Sequence, residues 1–538
     1  MALHDVRRLD SPKIEADVCV VGAGAAGISI ARELTGQSCR VALLESGDLV
    51  FRHRPQFLYL GENVGTPSYS PGKSRFRMFG GSTTRWGGQC RPLDAIDFEA
   101  REGLPYTGWP FGRETLEPYY RRAQSLCNLG PFDYRPSAWI HADSESLRVP
   151  SSLLETKIYQ FSHPSDFGVV YRDALACAEN IDVYFNANVT EIEVDERAAN
   201  VAGLVVRTFN GRQLSVRARY YVLACGGIEN PRLLLASNRI APQGIGNQHD
   251  LVGRFFMDHP YFLLGCYEPA LARFDKSMFV IEDYTRVGIE QKANAALSLA
   301  EQVLREENLN GGALYLVRRP HYKTNPEYFA PGARSFVHLV DVLRHHELPD
   351  RQLGRHLLNI AAGLGDVGRL LARKSAARRK PDNKLALRAV LESTPNRDSR
   401  VALGRRKDHF GMPRVEVDWR LNPEDRRGLT RLMSVIRTEF SRLRLGTLIE
   451  DHTTDDGGWP RSLTGGKHHM GTTRMHVDPR QGVVDAACRV HGCANLYIAG
   501  SSVFPTSGFA NPTLTIVALA VRLADELKGK LRGADAPI

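Results

Sequence analysis

Apolar residues in this chain gather into short runs that stop at glycine. The sharpest case is Asp17–Ser46, DVCVVGAGAAGISIARELTGQSCRVALLES. Its β-branched start predicts a buried strand, and helical spacing follows Gly22-x-Gly24-x-x-Gly27. A second apolar run, Val41–Leu44, predicts another strand ending in Glu45. Near the other end, Leu496-Tyr497-Ile498-Ala499 empties into Gly500-Ser501-Ser502, again a buried strand closing on small residues. An apolar helical run then reaches Leu523, with Pro512 suited to its first position and Asn511 to its N-cap. A third such unit joins Ala218–Ala224, Cys225-Gly226-Gly227 and a helix over Glu229–Ala236. Between them, Tyr184–Asn188 and Thr190–Val194 alternate like strands, and Ala202–Arg207 pairs with Gln213–Arg217 across Asn210-Gly211. Such crossovers, far apart in the chain, predict a doubly wound α/β domain assembled from separated segments.

The pattern changes from Tyr261 to Trp459. Ala313–Val317, Ser335–Leu339 and Arg414–Trp419 alternate as strands do, and Arg426–Leu443 has helical spacing. No nucleotide signal recurs there, which suits a substrate-covering domain. Leu353, Leu357, Ile360, Leu364, Val367 and Leu371 recur at helical spacing, and Arg369, Arg373, Lys374, Arg378, Arg379 and Lys380 complete a basic end. This predicts a helix packed on its own domain with a solvated basic end; docking of 353–380 on an anionic membrane or a protein partner is the second reading. Gly363, Gly365 and Gly368 weaken the helix under either. Upstream, a Trp109-Pro110 turn and a polar helix over Arg113–Cys127 read as structural.

Composition adds bounds rather than chemistry. The 538 residues, 43% hydrophobic and 24% charged, suit a globular protein of at least two domains. No apolar run is long enough to span a bilayer, and MALHDVRRLDSPKIEAD lacks the apolar core of a signal peptide. Nine cysteines without framework spacing point to a reducing cytoplasm. Cys488-x-x-His491-x-Cys493 lacks a second ligand pair, so no structural metal is expected. The net charge of +10 admits acidic partners, but no aromatic-interleaved basic patch argues for nucleic acid.

Candidate chemistry gathers at the glycine-rich ends. In a βαβ unit, Gly22 permits the tight turn, Gly24 admits a pyrophosphate and Gly27 lets helix and strand pack. Glu45 stands where a carboxylate takes the adenosine ribose hydroxyls. The loop Tyr59–Asp94 carries Gly80-Gly81-Ser82-Thr83-Thr84 and Gly87-Gly88 around Trp86, a pattern expected of backbone pressed against a ligand. At the C-terminal end, His468 or His469 can act as a base, Asn511 offers an amide, and a helix start favours negative charge.

Together these residues resemble the glucose–methanol–choline (GMC) oxidoreductases over nearly the whole length. The likeness is strongest in the first hundred residues, around YVLACGGIENPRLLLAS, and from His468 onward. Ala510–Thr515, ANPTLT, and H-x-M-G at His468–Gly471 resemble the pyranose-oxidase branch in particular. The resemblance implies a Rossmann-like FAD domain from 12–98, 168–260 and 460–538, and a substrate domain with an antiparallel sheet from 99–167 and 261–459. It implies FAD as cofactor, held by Gly22, Gly24, Gly27 and Glu45, by Gly81, Ser82, Thr84 and Trp86 of the loop, by Val189 near the adenine, and by Gly500, Ser501, Pro512 and Thr513. It selects His468 as the catalytic base, three residues before Gly471, with Asn511 as its partner. One departure matters. Pyranose oxidases carry S-T-H-W, whose histidine bonds covalently to the flavin, whereas this chain has Thr83-Thr84-Arg85-Trp86. A non-covalent FAD is therefore expected. The implied activity is oxidation of a sugar, glycoside, aminocyclitol or other polyol by hydride transfer to the flavin, with oxygen or a quinone-like compound as acceptor. A GMC-type lyase, a dehydrogenase for a non-carbohydrate alcohol with a non-oxygen acceptor, and an idle FAD-binding partner subunit are the alternatives.

Overall fold

One long strand organises the nucleotide-binding half. In the computed structural model, which describes residues 3–66, 68–139, 151–269, 285–286, 292–320, 330–344, 353–379, 383–444, 446–450 and 458–534, eight strands form the first sheet. They are β1 (Leu3–Asp5), β2 (Lys13–Val21), β3 (Val41–Leu44), β4 (Ile181–Phe185), β5 (Asn188–Val194), β6 (Val201–Arg207), β7 (Gln213–Leu223) and β8 (Leu496–Ile498). The order is β1-β4-β3-β2-β7-β6-β5, with β8 also on β7. The sequence pattern divided Gln213–Arg217 from Ala218–Ala224, but the structure makes them one strand with two partners on one edge. Its first half pairs antiparallel with β6, its second half parallel with β8. The divided pattern reflects that change of neighbour.

The parallel strands finish flush. Leu44 pairs with Val21, Val21 with Leu223, and Leu223 with Ile498. The residues that follow, including Glu45, Gly22, Ala224 and Ala499, therefore share one edge about 14 Å long at ordinary strand spacing. In open α/β sheets ligands bind outside such carboxyl ends. Helices α1 (Ala25–Leu34), α2 (Gly226–Ala236) and α3 (Thr513–Ala534) each begin near this edge, and α3 packs on α1 and on helix Arg113–Leu126.

A second, antiparallel sheet runs in the order Gly446–Glu450, Pro260–Pro269, Asn383–Leu391, Gly312–Pro320, Lys292–Leu299, Leu154–Phe161, Gln89–Cys90. Thr464–Gly465 pairs with Pro260-Tyr261 at one margin. Helix Pro423–Arg442 buries Leu429, Leu432, Val435, Ile436 and Phe440 against this sheet. Its start is a capping box between Asn422 and Asp425. A small third sheet joins Arg400–Lys407, Pro413–Asp418 and Gly61–Asn63.

Two expectations in the middle of the chain change. Ser335–Leu339 lies in a helix, Pro331–Arg344, rather than a strand. Its Ser335 hydroxyl sits 3.1 Å from both His356 Nδ1 and Asn359 Nδ2, so a neighbouring helix supplies the contacts that decide its form. The single helix expected over 353–380 is two, Leu353–Ala362 and Leu364–Arg379, broken at Gly363. A Cβ on Gly363 would lie 2.9 Å from the Gly332 Cα, so the two glycines let the helices cross closely. Val367 and Leu370 point inward, while Leu357, Leu358, Leu364 and Leu371 are exposed. Lys380 and the side chains of Arg378 and Arg379 lie outside the described residues. Among the described residues no helix is long and apolar enough to cross a membrane.

Candidate active site

The flush edge opens into a cavity of about 510 Å³. Gly22, Gly24, Glu45, Gly81, Ser82, Trp86, Val189, Gly500, Ser501, Pro512 and Thr513 line it, together with His468 and Asn511. Gly27 and Thr84 do not. A Cβ on Gly27 would sit 1.9 Å from the Gly22 carbonyl oxygen, so Gly27 serves the packing of α1 on the turn. The Thr84 hydroxyl donates to the Gly81 carbonyl at 2.9 Å and is spent within its own turn.

The glycine edge alternates crowded and open backbone. Gly22 has φ +104°, and a Cβ there would meet the Ala224 carbonyl oxygen at 2.7 Å. Only glycine takes that turn without strain. At Gly24 and at Gly500 a Cβ would meet nothing within 4 Å, so both face open space. Glu45 accepts from the Ala23 N–H at 3.1 Å through Oε2 and from the Gly47 N–H at 2.7 Å through Oε1. Burial pushes its carboxyl above the usual range. Ser46 Oγ also donates to Oε1 at 3.4 Å, so it is Oε2 that keeps a lone pair for a further donor.

One wall is ionic and buried. Glu229 accepts from Arg75 at 2.8 Å, Arg77 at 2.7 Å and Arg232 at 3.1 Å, and Arg232 reaches Asp408 at 2.6 Å. Burial alone would raise the Glu229 carboxyl; Arg232, Arg75 and Arg77 outweigh it and bring it down to about 2. Arg75 and Arg77 also cover the Tyr59 ring at 3.9 and 4.3 Å. The spread of these residues, 59 to 408, left no local pattern to read.

At the far end, the histidine pair sits on a tight turn. Lys467 has φ +66°, unusual for a lysine. The turn is held by Asp258, whose carboxylate accepts from the N–H groups of Gly466 (3.0 Å), Lys467 (3.1 Å) and His468 (2.8 Å), and of His259 (2.8 Å). Burial pushes that carboxyl up to about 7 against these donors. His468 Nδ1 lies 3.0 Å from His259 Nδ1. Burial, with His259 and His469 alongside, holds His468 well below the usual imidazole range, so it is neutral near pH 7. His469 is lowered to about 3 by burial and by Arg75 and Lys467, and its ring stacks on Phe256.

Asn511 does not cap α3. The helix begins at Thr513, and its first bond runs from Ile516 N–H to the Pro512 carbonyl. The Asn511 amide instead donates to the Gln89 backbone carbonyl at 3.1 Å and approaches Gln89 Oε1 at 3.4 Å. A carbonyl only accepts, so Nδ2 faces Gln89 and Oδ1 remains for the cavity. Gln89 is itself fixed by donating to Asn294 Oδ1 at 2.9 Å. Asp258, His259, Gln89 and Asn294 all escaped sequence reading. The nearest hint was polar Asp258-His259 between the apolar run Phe255-Phe256-Met257 and a strand.

Residues 395–520 match the family model described as GMC oxidoreductase, and residues 17–244 match that of FAD dependent oxidoreductase. The chain thus carries a GMC oxidoreductase C-terminal domain together with an FAD-dependent oxidoreductase domain. It is an FAD-dependent oxidoreductase that acts on CH–OH groups. It is 26% identical to 6'''-hydroxyparomomycin C oxidase of Streptomyces lividus, covering 96% of this chain and 92% of that one. It is 23% identical to the fructose dehydrogenase large subunit of Gluconobacter japonicus, covering 97% and 100%. Its fold matches the crystal structure of pyridoxine 4-oxidase from Mesorbium loti, with a TM-score of 0.57 at 17% identity over 95% and 98% of the chains.

Two outcomes follow from this geometry. Gly24→Ala places a methyl in open space, so the protein should fold and lose FAD on gel filtration. Gly27→Ala meets a carbonyl at 1.9 Å and should lower the melting temperature of apoprotein and holoprotein alike. Equal FAD retention in Gly24→Ala would refute the cradle.

The second outcome concerns acid. His469 stays neutral when folded down to about pH 3, whereas the unfolded imidazole takes up a proton near 6.5. Acidification from pH 6.5 toward 4 therefore favours unfolding, by up to about 1.4 kcal/mol per pH unit for this one group. Asp97, Asp258 and Asp425, pushed by burial to about 8, 7 and 7, act in the opposite sense across this window. They cancel in a difference. Holoenzyme carrying His469→Phe should gain stability relative to the parent as pH falls, and parallel melting curves across pH would refute it.

Proposed function

We propose that this chain oxidises one hydroxyl of a sugar, a glycoside or an aminocyclitol to a carbonyl, with His468 as the base. The observation that carries the reading is that His468 and Asn511 line the same cavity as Gly22, Gly24 and Glu45. Bound along that edge, FAD supplies the oxidant that takes the carbon-bound hydrogen with its electron pair. His468 takes the hydroxyl proton, and its neutral state near pH 7 suits that task. Asn511, steadied by Gln89, presents Oδ1 as an acceptor that orients the polar substrate. Glu45 takes the ribose hydroxyls at the other end, and Val189 meets the adenine.

The named relatives are an aminoglycoside oxidase and a fructose dehydrogenase, so a carbohydrate-like alcohol is the class they support. Arg85 and Lys467 line the cavity as well and place positive charge on its wall. Oxygen or a quinone-like acceptor then takes the electrons. The reading keeps the five-part division of the chain and a cytoplasmic setting, where nine free cysteines are stable.

The flavin is bound without a covalent link, because Arg85 stands where a histidyl attachment would be. Acid precipitation of the holoenzyme should leave the yellow colour in the supernatant, and colour retained in the pellet would overturn this.

Anaerobic stopped-flow mixing with sugars, glycosides and aminocyclitols tests the activity, since a true substrate bleaches the flavin. With one good substrate, His468→Ala should slow bleaching roughly 10²–10⁴-fold with FAD content unchanged. Asn511→Ala should cost less and His469→Ala least. A crippled His469→Ala beside a near-normal His468→Ala would move the base to His469, and a catalyst that never bleaches would point to lyase chemistry.

A further inference from the structure

His259 and His468 face each other nitrogen to nitrogen, Nδ1 to Nδ1 at 3.0 Å, with their rings nearly perpendicular at 80°. Both imidazoles are neutral near pH 7, His259 being lowered to about 4 by burial. Two facing ring nitrogens at that distance share one proton. One ring donates it and the other accepts. The choice decides the chemistry of His468. If His259 donates, His468 carries its own proton on Nε2 and cannot accept another there as a neutral base. If His468 donates, its Nε2 is a bare lone pair.

The role of His468 selects between these. His259 is fully buried, and its Nε2 makes no hydrogen bond to a described atom. Nδ1 of His468 is taken up by the contact with His259, so a substrate proton must go to Nε2 of His468, which has to be bare. His259 then carries its own proton on Nε2 and offers a bare Nδ1 as acceptor. We propose that His259 is a positioning residue that holds His468 in the Nδ1–H tautomer, leaving Nε2 free to take the substrate proton. The inference rests on the reading of His468 as base.

The balance is simple. The substrate O–H bond breaks and its proton joins His468 Nε2, while the carbon-bound hydrogen leaves with its electron pair to the FAD. His468 becomes a cation with protons on both nitrogens, and its Nδ1–H continues to donate to His259. The same hydrogen bond that selects the tautomer thus stabilises the charge formed at the reaction's peak. The clamp by Asp258 serves this geometry. It accepts from the backbone N–H of both His259 and His468, which fixes the two rings' backbones to one carboxylate.

The test uses holoenzyme with ring-¹⁵N histidine, the His468 signal being assigned by its loss in His468→Gln. Expected is a protonated Nδ1 and a bare Nε2 for His468 at pH 7. His259→Leu, which removes the acceptor at similar volume, should shift that signal toward the Nε2–H tautomer and slow anaerobic flavin reduction roughly 10–100-fold. His259→Asn restores an acceptor and should recover most of the rate and the original tautomer. FAD content and melting temperature check that each variant folds; should His259→Leu fail, the wild-type spectrum and His259→Asn still decide. An Nε2-protonated His468 in the wild type, or an unchanged tautomer and rate in His259→Leu, would overturn the proposal. Undiminished reduction in His468→Ala would instead overturn the base assignment, whatever the tautomer.

Discussion

The carboxylate of Asp258 is the point on which the site's geometry depends. Four backbone N–H groups converge on its two oxygens, three from the turn Gly466–His468 and one from His259. The turn passes through a left-handed lysine and cannot satisfy these donors itself. Gly466 N–H also donates to the His259 carbonyl at 2.9 Å, which ties the turn to the same segment a second time. Gly465 makes room, since a Cβ there would lie 2.4 Å from Asp258 Oδ2. Asp258 precedes the strand Pro260–Pro269 of the antiparallel sheet, while the turn leads to Met470, bonded across to Met257. One acid therefore ties the antiparallel sheet to the histidines that line the cavity.

A second constraint is the cost of buried charge. Arg75, Arg77, Arg232, Glu229 and Asp408 stand in the cavity wall, where ions are expensive unless paired. Here each guanidinium finds a carboxylate, a carbonyl or the Tyr59 ring. Elsewhere burial wins instead, and Asp97 beside Glu392 is pushed to about 8. Glu392 itself stays paired with Arg101. The interior thus sorts its acids by whether a cation reaches them. That sorting fixes the cavity wall before a ligand arrives, and a preorganised polar site needs little rearrangement during reaction.

Much of the nucleotide edge could be read along the chain, because its logic is local. A β-branched run must end somewhere; Gly22 makes the tight turn, and Gly24 and Gly500 mark where backbone stays open to a ligand. Glu45 follows a strand at fixed spacing, and the flush pairing of Leu44, Val21, Leu223 and Ile498 needs only parallel strands of known end points. The middle was less legible. Ser335–Leu339 carries residues at home in either form, and contacts with His356 and Asn359 on a neighbouring helix made it helical. Gly363, one of three glycines that weaken the expected helix, is where it breaks; that Gly332 crosses there has no trace in local spacing.

The sequence by itself determined the nucleotide-binding unit and, through its resemblance to a known family, the cofactor class and which histidine and amide to consider, since each lies in a contiguous motif. Tertiary structure alone decided what those groups are bonded to. His259 reaches His468 across 209 residues, and Gln89 holds Asn511 across 422. A hydrogen bond acts over about 3 Å, and chain spacing carries no information about which distant polar atoms will meet at that range. Tautomer, amide orientation and buried charge are set by such contacts, so they become readable only once the two sheets have brought the segments together.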